Sequence, residues 1–199
     1  MSPNDLELFR ATLSILSGLF VFVFYGAILR EALKKIITPN PVSWLIWSLN
    51  DALILFASWS AGAWNTLAVP LIYAIFGWFI VIAALRNERR MPNTIETICL
   101  AGAVLGWVCY LLSFGSFTSL VIAITVNTLG GVPTMIRLVK NPRAERFRSW
   151  ILVWIGSALS LASLEQFQPV FFLFPVNSLV LTSVIILLML RPVPPALIR

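Results

Sequence analysis

Long apolar runs separated by short polar turns dominate this chain. A helix crossing a membrane needs about 20 apolar residues. Seven stretches meet or approach that length: about Leu8–Leu29, Val42–Ala61, Thr66–Leu85, Ile95–Ser113, Phe117–Val139, Trp150–Leu164 and Val170–Leu190. The turns Gly62-Ala63-Trp64-Asn65, Gly115-Ser116 and Gln166-Phe167-Gln168-Pro169 are too short to hold a separate domain. The pattern therefore predicts an all-α polytopic membrane protein with seven transmembrane helices. The first span is read as a retained helix and not as a leader, because Asp5 and Glu7 precede it and no small-residue cleavage site follows.

Composition agrees. Of 199 residues, 59% are hydrophobic and 11% charged, where a soluble domain is about half apolar and about a quarter charged. Charge then sets an orientation, because Lys and Arg concentrate in cytoplasmic loops. Arg30, Lys34 and Lys35 follow span one; Arg86, Arg89 and Arg90 follow span three. Arg137, Lys140, Arg143, Arg146 and Arg148 follow span five, and Arg191 and Arg199 follow span seven. Only Arg10 falls on the other side. The alternation predicts an N-terminus outside and a C-terminus in the cytosol. The net charge of +6 is thereby explained by topology, so nucleic acid is not an expected partner; the lipid bilayer is. Cys99 and Cys109, ten residues apart on one helix, would be about 15 Å apart, too far for a disulfide.

The stretch Ser43-Trp44-Leu45-Ile46-Trp47 has a near copy, Ser149-Trp150-Ile151-Leu152-Val153-Trp154, 106 residues later (43 to 149). Pro70 aligns near Pro175, and basic turns follow spans one and five at matching places. Spans one to three thus resemble spans five to seven. Three helices are an odd number, so a directly joined copy would be inverted; span four restores the orientation. The expected organisation is 3+1+3: a first three-helix unit over residues 1–85, a linker helix with its loops over 86–115, and a second unit with a short tail over 116–199. Parallel repeats of this kind place a substrate site at the midplane between them.

These residues also carry a resemblance. Gly130-Gly131-Val132-Pro133-Thr134, the following Lys140-Asn141-Pro142-Arg143 turn and the Ser-Trp helix start are similar to the signature of the SWEET and PQ-loop transporter superfamily. In that signature a Pro-Gln pair near the inner end of a unit's first helix precedes a basic turn. Thr134 stands in place of Gln, and Ala27-Ile28 stand where the pair would fall in the first unit. Pro175-Val176-Asn177 is similar to the Pro-Asn of sugar-transporting members, with one residue inserted. The resemblance implies a transporter that moves a small polar solute, sugar-like or amino-acid-like, by alternating access.

Candidate site residues follow from depth. Asp51 lies about nine residues into its span, about 13 Å from the cytosolic boundary at 1.5 Å per residue, near the midplane of a core about 30 Å thick. A carboxylate there is costly unless it is paired, hydrated or protonated. One that alternates between neutral and charged forms can couple proton movement to a solute; one held neutral is helix–helix glue. Trp44, Trp47 and Asp51 share a helical face. Trp47 and the deeper Trp154 are candidates for stacking on a solute, whereas Trp44 and Trp150 near the cytosolic edge read as interfacial anchors. Asn127 and Asn177 near the midplane are candidate solute contacts. Pro70, Pro133 and Pro175 inside spans are candidate hinges.

The absence of histidine removes imidazole bases and imidazole metal sites, and there is no Gly-rich phosphate loop or clustered carboxylate pair. No enzyme activity, metal or cofactor is expected. A rhodopsin-like receptor would need a lysine in the last span, which has none. The alternative to a transporter is a non-transporting seven-helix receptor or scaffold; a homo-oligomer is compatible with either.

Overall fold

The computed structural model describes residues 3–60, 67–112, 116–164, 166 and 168–192. The expected turn at Gly62–Asn65, Gly115 of the second turn and Phe167 of the third lie outside them. Among the described residues there are seven helices: α1 (Pro3–Leu33), α2 (Pro41–Ser60), α3 (Ala68–Asn87), α4 (Thr94–Leu112), α5 (Ser116–Lys140), α6 (Phe147–Ala162) and α7 (Pro169–Met189). The seven apolar stretches all became helices. Five are long and apolar enough to cross a membrane; the apolar helical segments of the other two, Pro41–Phe56 of α2 and Phe147–Ala162 of α6, are shorter. The 16 residues of α6 rise about 24 Å. Both shorter helices are rich in small polar residues, and they turn those inward: α6 buries Ser149, Trp150, Val153, Gly156, Ser157 and Ser160, one face at helical spacing.

Local signals set several helix starts. Asn40 precedes Pro41, and its Oδ1 accepts from the main-chain N–H of Val42 at 3.0 Å and of Ser43 at 3.1 Å. A capping asparagine followed by proline at the first helical position is a favoured start. At α4, Asn93 Oδ1 accepts from Glu96 N at 3.0 Å while Glu96 Oε2 accepts from Asn93 N at 2.8 Å, a reciprocal capping box.

Six helices pack in a closed order, α1 on α3, α3 on α2, α2 on α5, α5 on α7, α7 on α6 and α6 on α1; α4 lies against α5 and touches α2. Large apolar side chains cover the outside. On α4, Ile98, Leu105, Leu111 and Leu112 are all more than 60% exposed, and its buried residues are Glu96, Cys99 and Ala103. The apolar exterior and the polar groups turned inward suit a protein embedded in a membrane.

Pro70 is not an interior kink. It is the third residue of α3, in the first turn, where its missing N–H has no helical partner to lose. Pro133 and Pro175 do lie inside α5 and α7.

Candidate functional site

A chamber sits inside the ring of six helices. α1 contributes Phe24 and Tyr25; α2 contributes Trp44, Trp47 and Asp51; α3 contributes Tyr73. From the other half come Asn127 of α5, Trp150 and Val153 of α6, and Phe174, Ser178, Leu181 and Thr182 of α7. The free space is about 50 Å³, enough for roughly three to five waters. A small-molecule pocket ordinarily offers several hundred Å³.

Aromatic rings form most of the wall. Trp44 and Trp47 meet edge to face at 5.4 Å, Trp47 and Trp150 at 6.2 Å, and Phe24 and Trp150 at 5.5 Å. Tyr25 joins Trp44 at 5.7 Å and Tyr73 at 5.5 Å, and Tyr73 reaches Phe174 at 6.3 Å. These separations fall in the range where ring pairs attract beyond simple burial. Trp47 is clamped: a Cβ at Gly130 would lie 2.7 Å from its Cδ1, and its Nε1 donates to the Asn127 carbonyl at 2.9 Å. Only glycine lets α5 approach this closely.

Asp51 is 3% exposed and is the only charged residue among those lining the chamber. Among the described residues it makes no ion pair. Its carboxyl bears electrostatically on Tyr25 and Tyr73. Tyr73 lies close enough to Ser178 and Ser157 for its hydroxyl to feel both, and these two serines share a hydrogen bond at 2.9 Å. Asp51 and Tyr73 from one half therefore meet Ser157 and Ser178 from the other. Trp44 Nε1 and Asn50 Oδ1 are buried without partners among the described residues, an arrangement that costs about 1–3 kcal/mol per group.

The structure brings Trp47, Asp51 and Asn127 to one chamber, as their depths and shared faces imply. It separates two others. Trp154 does not line the chamber: the residue is 37% exposed and its Nε1 donates to Ser183 Oγ at 2.8 Å. It stands one residue past the position matching Trp47, a turn of about 100°. Asn177 is also outside the wall; its Oδ1 accepts from Asn127 Nδ2 at 2.8 Å and its Nδ2 donates to Thr128 Oγ1 at 3.1 Å, so it braces Asn127. Trp44 and Trp150, expected as boundary anchors, are instead 1% and 3% exposed inside the chamber. Proximity to a helix start does not reveal whether a ring points outward or into the bundle.

A second polar region lies where the basic turns gather. Glu96 takes two guanidinium bonds from Arg90, each 2.6 Å, and a third from Asn40 Nδ2, also 2.6 Å. Arg137 pairs with Glu88 at 2.9 Å and donates to Thr38 Oγ1 at 2.7 Å. Burial pushes Glu88 upward, but Arg90 and Arg137 outweigh it and hold the carboxyl below its ordinary range. Glu145, in the turn before α6, is 4% exposed. Burial pushes it up to about 7, although the Trp150 indole N–H at 3.4 Å and the charge of Arg137 pull downward. In the sequence, the arginines of this region mark topology and no more. The Asn93-x-x-Glu96 spacing was a visible signal for the first cluster; none marked Glu145.

Comparison of the chain with family models, with curated proteins and with solved structures returns no match, so the chemistry of the chamber is what carries the functional reading.

Proposed function

We propose that this protein is a membrane transporter that moves a small polar solute by alternating access through the chamber, with Asp51 as the group that couples the movement to protons. One observation carries the reading: the chamber takes side chains from α1, α2 and α3 and equally from α5, α6 and α7, and its single carboxyl sits where the two sets meet. A cavity that closes between two sets of helices can open to either side when one set rocks against the other.

Several features support a 3+1+3 organisation. Exchanging α1 with α5, α2 with α6 and α3 with α7 leaves the order of packed pairs around the ring unchanged. Seam contacts repeat at the same spacing: Asn50 Nδ2 donates to the Ala123 carbonyl at 3.0 Å, and Ser17 Oγ donates to the Gly156 carbonyl at 2.7 Å. Residues 17 and 123, like 50 and 156, are 106 apart, the spacing of the Ser-Trp copies. The basic turns share one end, which favours a cytosolic placement for that end and an N-terminus outside. The resemblance of Pro133-Thr134 and its basic turn to the SWEET and PQ-loop transporters points the same way.

The test is flux in proteoliposomes across a panel of sugars, amino acids, nucleosides and organic ions at several pH values. Tyr25 and Tyr73 are the titratable groups facing Asp51, and neither changes charge near neutral pH. Asp51→Asn should therefore abolish flux or remove its pH dependence. The small size of the chamber also suits a second reading, a non-transporting seven-helix receptor or scaffold. A folded protein that moves no member of the panel would favour that reading.

A further inference from the structure

The geometry points to a small organic cation, of the methylated-ammonium kind, as the ligand of the chamber. This inference rests on reading the chamber as the solute site, and it names the class of solute.

Seven aromatic rings line the space, and among its lining residues Asp51 is the only charge. Aromatic faces carry negative potential, and they attract cations most where water is excluded. A carboxylate with no cationic partner supplies the remaining attraction. Phosphates and carboxylates would meet the opposite field.

The polar groups in the wall argue against a sugar. A hydroxyl-rich ligand needs donors and acceptors that are free to serve it. Here the Trp47 indole N–H is committed to the Asn127 carbonyl, and Asn127 Nδ2 to Asn177. Ser178 shares its hydroxyl with Ser157, and Thr182 Oγ1 donates to the Ser178 carbonyl at 2.8 Å. Beside the unpartnered Trp44 indole N–H and the two tyrosine hydroxyls, what remains on offer is ring faces and one carboxylate. That pairing suits an ion with a greasy, weakly hydrated charge. At about 50 Å³ the chamber must widen to take either a hexose or a quaternary ammonium ion, so the choice between them rests on the chemistry of the wall. A bare metal ion is a poorer fit: it demands several oxygen ligands at once, and no group of three or more metal-ligating side chains occurs among the described residues.

Asp51 then has two competing occupants, a proton and the organic cation. Binding of the cation would displace the proton, which gives exchange of one for the other without further machinery.

The experiment is a titration of the purified full-length protein in detergent, read by calorimetry. The probes are tetramethylammonium, choline, the neutral isostere of choline with a tert-butyl group in place of the trimethylammonium, glucose and sodium. Choline and tetramethylammonium are expected to bind, with the neutral isostere weaker by about tenfold or more. Asp51→Asn should cost the cations about tenfold or more and leave the isostere unchanged. Trp150→Leu should weaken the cations more than the isostere. Equal affinity for choline and its isostere overturns the proposal, as does binding of glucose or sodium by a folded protein that ignores both ammonium ions. Flux separates this from the broader reading. Cation binding without flux keeps the ligand class and removes transport. Flux of a neutral solute without cation binding keeps transport and removes the cation.

Discussion

The two seams of the ring, α2 against α5 and α1 against α6, are built to one plan and finished differently. Each carries a side-chain donor aimed at a main-chain carbonyl at the same height, Asn50 to Ala123 and Ser17 to Gly156. Around that shared bond the chemistry diverges. In the first seam the bulky residue is on α2, where Trp47 presses onto Gly130. At the positions matching these two in the second seam stand Val153 and Phe24, both lining the chamber, so the bulk has moved to α1. Asp51 has Ser157 as its counterpart. At the basic end, Thr134 Oγ1 donates to Ser43 Oγ at 2.9 Å, fully buried. In the second seam Ile28 stands where Thr134 would, so Ser149, the counterpart of Ser43, reaches Glu31 instead, at 3.5 Å, and the half-exposed Arg146 reaches the same carboxylate at 3.8 Å. Exposed charge contacts at such distances contribute little. The same matched pair of positions is bonded across each seam, with the donor on α2 in one and on α1 in the other, so the place of contact is kept while the side chains facing the chamber differ. At the basic end the α1–α6 seam has the longer polar contacts of the two.

The largest expected effect separates the seams by pH. Glu145 has no titratable counterpart, because residue 39 is Pro. Its folded-state value near 7 exceeds the ordinary 4.5. The stability it contributes is therefore complete below about pH 4.5 and is lost as pH rises through about 7, on the order of 3 kcal/mol in all. Thermal unfolding followed from pH 5 to pH 8 should show this decline, and Glu145→Gln should flatten it. An unchanged slope in the variant would assign the decline to other groups.

Next in size, Gly130→Val should drive the new side chain into Trp47 and cost about 1–3 kcal/mol. The loss should appear in the unfolding midpoint together with a change in tryptophan fluorescence. A variant as stable as the parent would mean that α5 is free to move away and that the clamp on Trp47 is not tight. The matched pair Asn50→Ala and Ser17→Ala should each cost about 1 kcal/mol. Their sum should hold in the double variant within about 0.5 kcal/mol if the seams act independently; a larger departure would show the seams to be coupled. Smallest is the contrast at the basic end. Thr134→Val, which leaves the buried Ser43 hydroxyl without that partner, should cost about 1 kcal/mol, and Glu31→Gln less than about 0.5 kcal/mol. The reverse order would make the α2–α5 seam the weaker at that end.

Much of the site could be read from the chain, for reasons that differ residue by residue. Asp51 and Asn127 stood out because a polar group deep in an apolar run must face protein or water. Trp47 shared a helical face with Asp51, which needs only the helical repeat. Trp154 was misplaced because the second copy spaces its tryptophans by four where the first spaces them by three. Tyr25, Tyr73 and Ser178 went unread, since a lone tyrosine or serine in a membrane helix is common and nothing local distinguishes one that faces a chamber. Pro70 looked interior only because the start of its helix was placed two residues early.

The sequence by itself determined seven apolar helices, their turns and the common end of the basic residues. Those properties follow from burying backbone polar groups in hydrocarbon and need no knowledge of neighbours. It also determined the 106-residue spacing. The tertiary structure alone decided which helices touch, and therefore that Trp44 and Trp150 turn inward, that Asn177 braces Asn127, and that seven rings surround one carboxyl. Helical periodicity fixes the face on which a residue lies; only packing fixes what that face meets.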